Sequence, residues 1–214
     1  MKIVAASTEI LAYTPDLEKL IEKAGRTCYK SEDKITDDSA CGFIQRIKGF
    51  KHDSVLEHGS ITVRFIIDRG VSHELVRHRL ASFSQESTRY CSYNKNKFGN
   101  EITVIDLATG FGISIKNHNA EDEAIYNEWH AAMLDAEQHY IKMLQLGASA
   151  QLARSVLPNS LKTEVVMTAN PREWQHVFNV RCHRDAHPQI REVMIPLAKE
   201  FNAKWPALFG EVND

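Results

Sequence analysis

Apolar side chains occupy every second position of Ile61–Asp68, at Ile61, Val63, Phe65 and Ile67. That period of two specifies a strand buried on one face, and the rest of the chain has to cover it. Residues 15–28 supply one amphipathic helix, with Leu17, Leu20, Ile21, Ala24 and Cys28 on a single face, and residues 38–50 a second through Phe43, Ile44 and Ile47. Residues 120–146 read as a long helix whose stripe runs from Ile125 through Trp129, Met133 and Tyr140 to Leu144, closed by Gly147 and free to serve as core or subunit interface. Further strands are expected at 2–6, 101–107 and 161–168, an exposed loop at 109–119, and helices at 149–157, from Asn170 onward, and at 188–205 with a kink or break at Pro196. The expectation is an α/β chain of the α+β type, its helices packed on a small, mainly antiparallel sheet. With 214 residues, 43% of them hydrophobic, one domain over residues 1–214 has enough apolar surface for a core.

The net charge of −2 provides no global field to draw the chain to nucleic acid or anionic lipid, so any anion site must be local. No stretch reaches the ~18 apolar residues of a membrane span, and residues 1–13 have neither the charge nor the apolar run of a leader or anchor. Cys28, Cys41, Cys91 and Cys182 are irregularly spaced with no Cys-x-x-Cys pair, which suits a reducing cytoplasm better than a disulfide framework.

Chemistry concentrates after the alternating strand. Arg77, His78 and Arg79 follow a short helix, and consecutive side chains on a helix diverge by about 100°. They therefore form either a solvated basic helix end or a meeting point of several anionic groups or subunits. Ser82, Ser84, Ser87 and Thr88 add hydroxyls and Arg89 another fork-shaped donor, a set suited to phosphate. Glu74 stands four residues before His78, at the spacing of an ordinary helical pair.

Three later blocks add candidates. Arg154 lies near the end of a helix closed by Pro158, where a cation also complements the helix dipole. Asn170 has the position of an N-cap with Pro171 in the first turn. On that helix Arg181 falls on the face of Trp174, Val177 and Phe178, and a guanidinium there needs either a structural glutamate or a bound ligand. Two histidine pairs raise the question of a metal. His52 and His58 sit on a loop without a third ligand at a characteristic spacing, and Pro188 follows His187 directly, which breaks a His183/His187 helical face. No metal is expected. Neither a Gly-x-Gly-x-x-Gly motif nor a P-loop is present, so a nucleotide would be held in another way.

Arg77-His78-Arg79, then seven residues, then Ser87-Thr88-Arg89-Tyr90, resembles the signature of the flavin-dependent thymidylate synthases. Glu57-His58 before a strand and Ala153 to Pro158 resemble two further blocks of that family, and the resemblance runs from about His52 to His187. It implies an FAD-dependent, NADPH-oxidising methyltransferase that converts dUMP to dTMP with 5,10-methylenetetrahydrofolate as carbon donor and no cysteine nucleophile. It also implies a homotetramer with shared active sites. By position, Glu74, Arg77, Gln85, Glu86, Ser87, Arg89, Arg154 and Arg181 would bind dUMP, Arg181 also stabilising charge that develops on the uracil. Ser54, Arg77, His78, Arg79, Gln85, Asn170, Arg172, His176 and His187 would meet FAD. Gln85 stands where some relatives have Glu, and His176 where some have Asn; both still form hydrogen bonds. The competing readings are a nucleic-acid module built on Arg77 to Arg89, which the interleaved acidic and hydroxyl residues oppose, and a zinc hydrolase using His58, His183 and His187.

Overall fold

The computed structural model describes residues 1–89, 93, 99–113 and 120–210. In chain order the elements are strands β1 (Lys2–Val4) and β2 (Ser7–Tyr13), helices α1 (Leu17–Tyr29) and α2 (Ser39–Gly49), strand β3 (Ile61–Asp68), helix α3 (Arg69–Leu75), and strands β4 (Ala81–Gln85) and β5 (Thr103–Ile105). Then come helices α4 (Leu107–Phe111), α5 (Ala120–Gln145) and α6 (Ala150–Ala153), strand β6 (Lys162–Ala169), and helices α7 (Pro171–Arg181) and α8 (Pro188–Lys204). Short 3₁₀ turns occupy Asp53–Glu57 and Arg154–Val156.

The four-stranded sheet has the order β2-β3-β6-β4. Thr62 and Thr168 share a hydroxyl hydrogen bond of 2.9 Å at one end of the β3/β6 pair, and at the other end the Arg69 N–H donates to the Leu161 carbonyl at 3.1 Å. β3 and β6 therefore run antiparallel, as expected of the main sheet. A separate pair, β1 with β5, is parallel, with Lys2 opposite Thr103 and Val4 opposite Ile105. Every odd residue from Ile61 to Ile67 is buried and Thr62, Arg64 and Ile66 are half-buried, which is the alternation read from the sequence.

Two compact units make up the chain, one of Met1–Ser7, Phe65–Arg77 and Ser84–Val165, the other of Thr8–Arg64, His78–Phe83 and Val166–Asp214. In the first, Ile102, Val104, Met133, Tyr140, Ala153 and Leu161 form the core. Within α5 Met133 and Tyr140 are buried and Trp129, Met143 and Leu144 pack against this core half-buried, so most of the α5 stripe serves the core, while Ile125 is exposed. In the second unit α1 and α2 pack through Leu17, Ile21, Phe43, Ile44 and Ile47, and Trp174, Phe178 and Phe201 form edge-on and tilted aromatic contacts. The Trp174 indole N–H donates to the Ile61 carbonyl at 3.1 Å, which fixes α7 to the start of β3.

Several expectations are corrected. The first strand stops at Val4, and β2 follows it without apolar alternation strong enough to announce a strand. β4 occupies Ala81–Gln85, small and polar residues with little β signal, because β6 offers its edge: the Glu86 N–H donates to the Glu164 carbonyl at 2.9 Å. The loop expected at 109–119 begins as the short helix α4, and 114–119 lie outside the described residues. α8 continues through Pro196 without a break.

Candidate functional site

In the first unit the site residues are delivered by the end of α3, by β4 and by the turn after α6. Asp68 caps α3, its carboxylate accepting from the Val71 N–H at 2.6 Å, and the helix ends at Leu75. Arg77 therefore lies beyond the helix and is exposed, while Glu74 is half-buried within it. The Gln85 amide donates to Ser72 Oγ at 2.9 Å and to Thr163 Oγ1 at 3.3 Å, which anchors the end of β4. Lys162 Nζ donates to Glu86 at 3.1 Å and to Glu164 at 2.7 Å, and the two carboxylates hold its ammonium form above the usual lysine range although burial opposes it. Past Glu86 the chain turns, with the Arg89 N–H donating to Ser87 Oγ at 3.3 Å. Arg89 Nε donates to Gln151 at 3.2 Å and Arg154 NH1 to Thr88 Oγ1 at 3.4 Å. Ser87, Thr88, Arg89 and Arg154 thus come together as two guanidinium groups and two hydroxyls, a donor set for a phosphate.

In the second unit α7 does the positioning. Asn170 is its N-cap, as expected, accepting from the Glu173 N–H at 2.9 Å. Arg172 is exposed in the first turn and pairs with Glu57, which shares the 3₁₀ turn Asp53–Glu57 with exposed Ser54. His176 is exposed one turn further on, and its ring stands edge-on to His78 with centroids 5.6 Å apart. His78, at 5% exposure, is buried. Arg181 Nε donates to His78 Nε2 at 3.1 Å, and His78 Nδ1 lies 3.5 Å from the buried Glu173 carboxylate. Burial, the Arg181 charge and His176 together push the His78 pKa down to about 4. Arg181 itself is half-buried at the end of α7, less enclosed than its place beside Trp174 and Phe178 suggested. Arg79 is exposed, and His187 is exposed immediately before α8. The exposed members of this set, Ser54, Arg79, Arg172 and His176, are cationic or hydrogen-bonding side chains of the kind a dinucleotide diphosphate requires.

Among the described residues one His/Glu group has the spacing of a metal site: the ligand atoms of His78, Glu173 and His176 lie within 4.8 Å of one another. The fixed positive charge of Arg181 beside His78 opposes a cation there. The zinc-hydrolase trio fares no better geometrically, since His183 and His187 lie in the turns between α7 and α8 and not on one helical face. Tyr90 and Cys91 lie outside the described residues.

The profile of the family described as thymidylate synthase complementing protein matches residues 9–207. A flavin-dependent thymidylate synthase of Geobacter sulfurreducens is 31% identical over 95% of this chain and 85% of its own length. One from Mycobacterium tuberculosis is 33% identical over 96% of this chain and 87% of its own. This chain belongs to the flavin-dependent thymidylate synthase family. It is accordingly an enzyme, a methyltransferase. The crystal structure of a UMP/dUMP methylase, PolB of Streptomyces cacaoi, bound with 5-Br dUMP, superimposes with a TM-score of 0.78 over 97% of this chain and 95% of that one, at 24% identity. That likeness establishes the shared fold.

The family signature does not reveal four neighbours of the site residues. Gln151 faces Arg89, Lys162 faces Glu86, Glu57 faces Arg172, and Glu173 faces His78. Glu57 had a signal in the block that resembles the family, and Glu173 one in the requirement of an arginine on an apolar helical face for a nearby acceptor or anion, which the structure meets through His78.

Proposed function

We propose that this chain converts dUMP to dTMP, with 5,10-methylenetetrahydrofolate as carbon donor, FAD as the flavin and NADPH as its reductant. The observation that carries this reading is the convergence of Ser87, Thr88, Arg89 and Arg154 on the signature segment, two fixed cations and two hydroxyls suited to a nucleotide phosphate. Gln85, Arg77, Glu74 and Glu86 complete the assignment to dUMP, and Arg181 stabilises negative charge on the uracil in the transition state. Ser54, Arg77, His78, Arg79, Gln85, Asn170, Arg172, His176 and His187 are assigned to FAD, which when bound supplies the hydride chemistry that protein side chains lack. Exposed Arg79 and Arg172 serve its diphosphate; His78 is buried and acts from behind the surface.

A thiolate nucleophile needs an accessible sulfur beside a cation or base. Among the described cysteines Cys182 is buried, and exposed Cys28 and Cys41 lie on α1 and α2, outside the segments assigned to dUMP and FAD, which supports a route without a cysteine nucleophile. The remaining elements of the proposal are a single working domain, a homotetramer with shared active sites, and action in the cytoplasm on small molecules.

The purified protein, incubated with FAD, is expected to absorb at about 450 nm as a flavoprotein and to form dTMP when given dUMP, 5,10-methylenetetrahydrofolate and NADPH. NADPH oxidation that yields no dTMP by chromatography would refute the reaction, and protein that remains colourless after FAD incubation would refute the cofactor.

A further inference from the structure

A guanidinium has only donors to offer, so the 3.1 Å contact from Arg181 Nε requires a lone pair on His78 Nε2. The ring is then neutral, with its proton on Nδ1. That nitrogen faces the Glu173 carboxylate at 3.5 Å, with both side chains buried. The Glu173 backbone is anchored in the first turn of α7, where its N–H donates to the Asn170 cap at 2.9 Å. The contacts run from a buried carboxylate, through one tautomer of one imidazole, to the guanidinium at the far end of the same helix. Among the described residues the His176 ring also stands edge-on to His78, with centroids 5.6 Å apart.

We propose that Glu173 is a positioning residue for methylation: through the Nδ1–H tautomer of His78 it fixes the Nε2 acceptor that aims the Arg181 guanidinium at the substrate. The proposal deepens the functional reading above, since it rests on the assignment of Arg181 to dUMP. A negative charge beside Nδ1 favours the tautomer with its proton there, and removal of that charge leaves two tautomers open. In the wrong one, Nε2–H and Arg181 Nε–H point donor against donor and the guanidinium must turn away. Glu173 touches no ligand in this scheme and acts only on the geometry of Arg181.

Its desolvated surroundings add to the case. Burial and the neighbouring positive charge keep His78 neutral, so the acceptor on Nε2 persists throughout the neutral pH range.

The test is the near-isosteric Glu173→Gln substitution in the full chain loaded with FAD, read by ¹⁵N NMR of His78 and by titration with dUMP. The parent protein is expected to show Nδ1 protonated and Nε2 bare; a parent with its proton on Nε2 overturns the proposal before any substitution is made. In Glu173→Gln the single tautomer should be lost and dUMP binding should weaken by about tenfold or more, while the same substitution in a His78→Gln background should have little further effect, because a glutamine carbonyl accepts from Arg181 without a tautomer. An unchanged tautomer overturns the proposal whatever happens to affinity. A lost tautomer with unchanged dUMP affinity supports the link from Glu173 to His78 and instead refutes the assignment of Arg181 to dUMP, so the two readings fail separately.

Discussion

Lowering the pH from about 7 to about 5 protonates an unfolded histidine but leaves His78 of the folded chain mostly neutral. The pKa of this group falls from 6.5 to about 4 on folding, chiefly because it is buried and also because Arg181 and His176 stand beside it. Between these two values the unfolded chain binds more protons than the folded one, so stability falls as the pH drops below 6.5 and levels off below about 4. At about pH 5 the unfolded ring is some 1.5 pH units past its midpoint, which at about 1.36 kcal/mol per unit amounts to about 2 kcal/mol of lost stability. Because carboxylates and the other histidines also respond to acid, the comparison of interest is with His78→Gln, which keeps an acceptor for Arg181 and removes the titration. Urea unfolding of both proteins at the two pH values, with m unchanged, should show the parent losing about 2 kcal/mol more than the variant. An equal loss in both would refute the argument that His78 is held neutral by its surroundings.

Glu22 and Arg26 form a buried ion pair on α1, with Ser39 Oγ donating to the other carboxylate oxygen at 2.8 Å. Glu22→Ala, which strands the guanidinium, should cost about 3 kcal/mol in urea unfolding, and a Glu22→Leu/Arg26→Met pair should recover most of it. Gly59 has φ +84° before β3, and a Cβ there would overlap Leu17 Cδ1 in the core; Gly59→Ala should lose about 2–4 kcal/mol from left-handed strain and overpacking, seen as a lowered Tm. Arg154→Ala should weaken dUMP binding by about tenfold to a hundredfold in calorimetry, the worth of one charge-assisted hydrogen bond, with the flavin absorbance near its parent value.

Elements with a strong period are legible in the sequence alone. β3 begins and ends where the alternation does, α1, α2, α5 and α8 fall within two residues of the bounds their apolar stripes set, and Asn170 caps α7 as its side chain and the following proline require. These are local effects, decided within a turn or a few residues of backbone, so the sequence alone carries them. β4 carries no such period and forms because a neighbouring strand presents its hydrogen-bonding edge. The same division holds at the site. The arginines, hydroxyls and family signature were determined by sequence alone, down to the residues expected to face phosphate. Tertiary structure decided which partner each cation meets: Lys162 takes Glu86 from 76 residues away, and Arg181 takes the His78 ring across 103. Residue types establish which groups can pair, but burial and long-range packing determine which of them do, and with that the charge and tautomer each group carries.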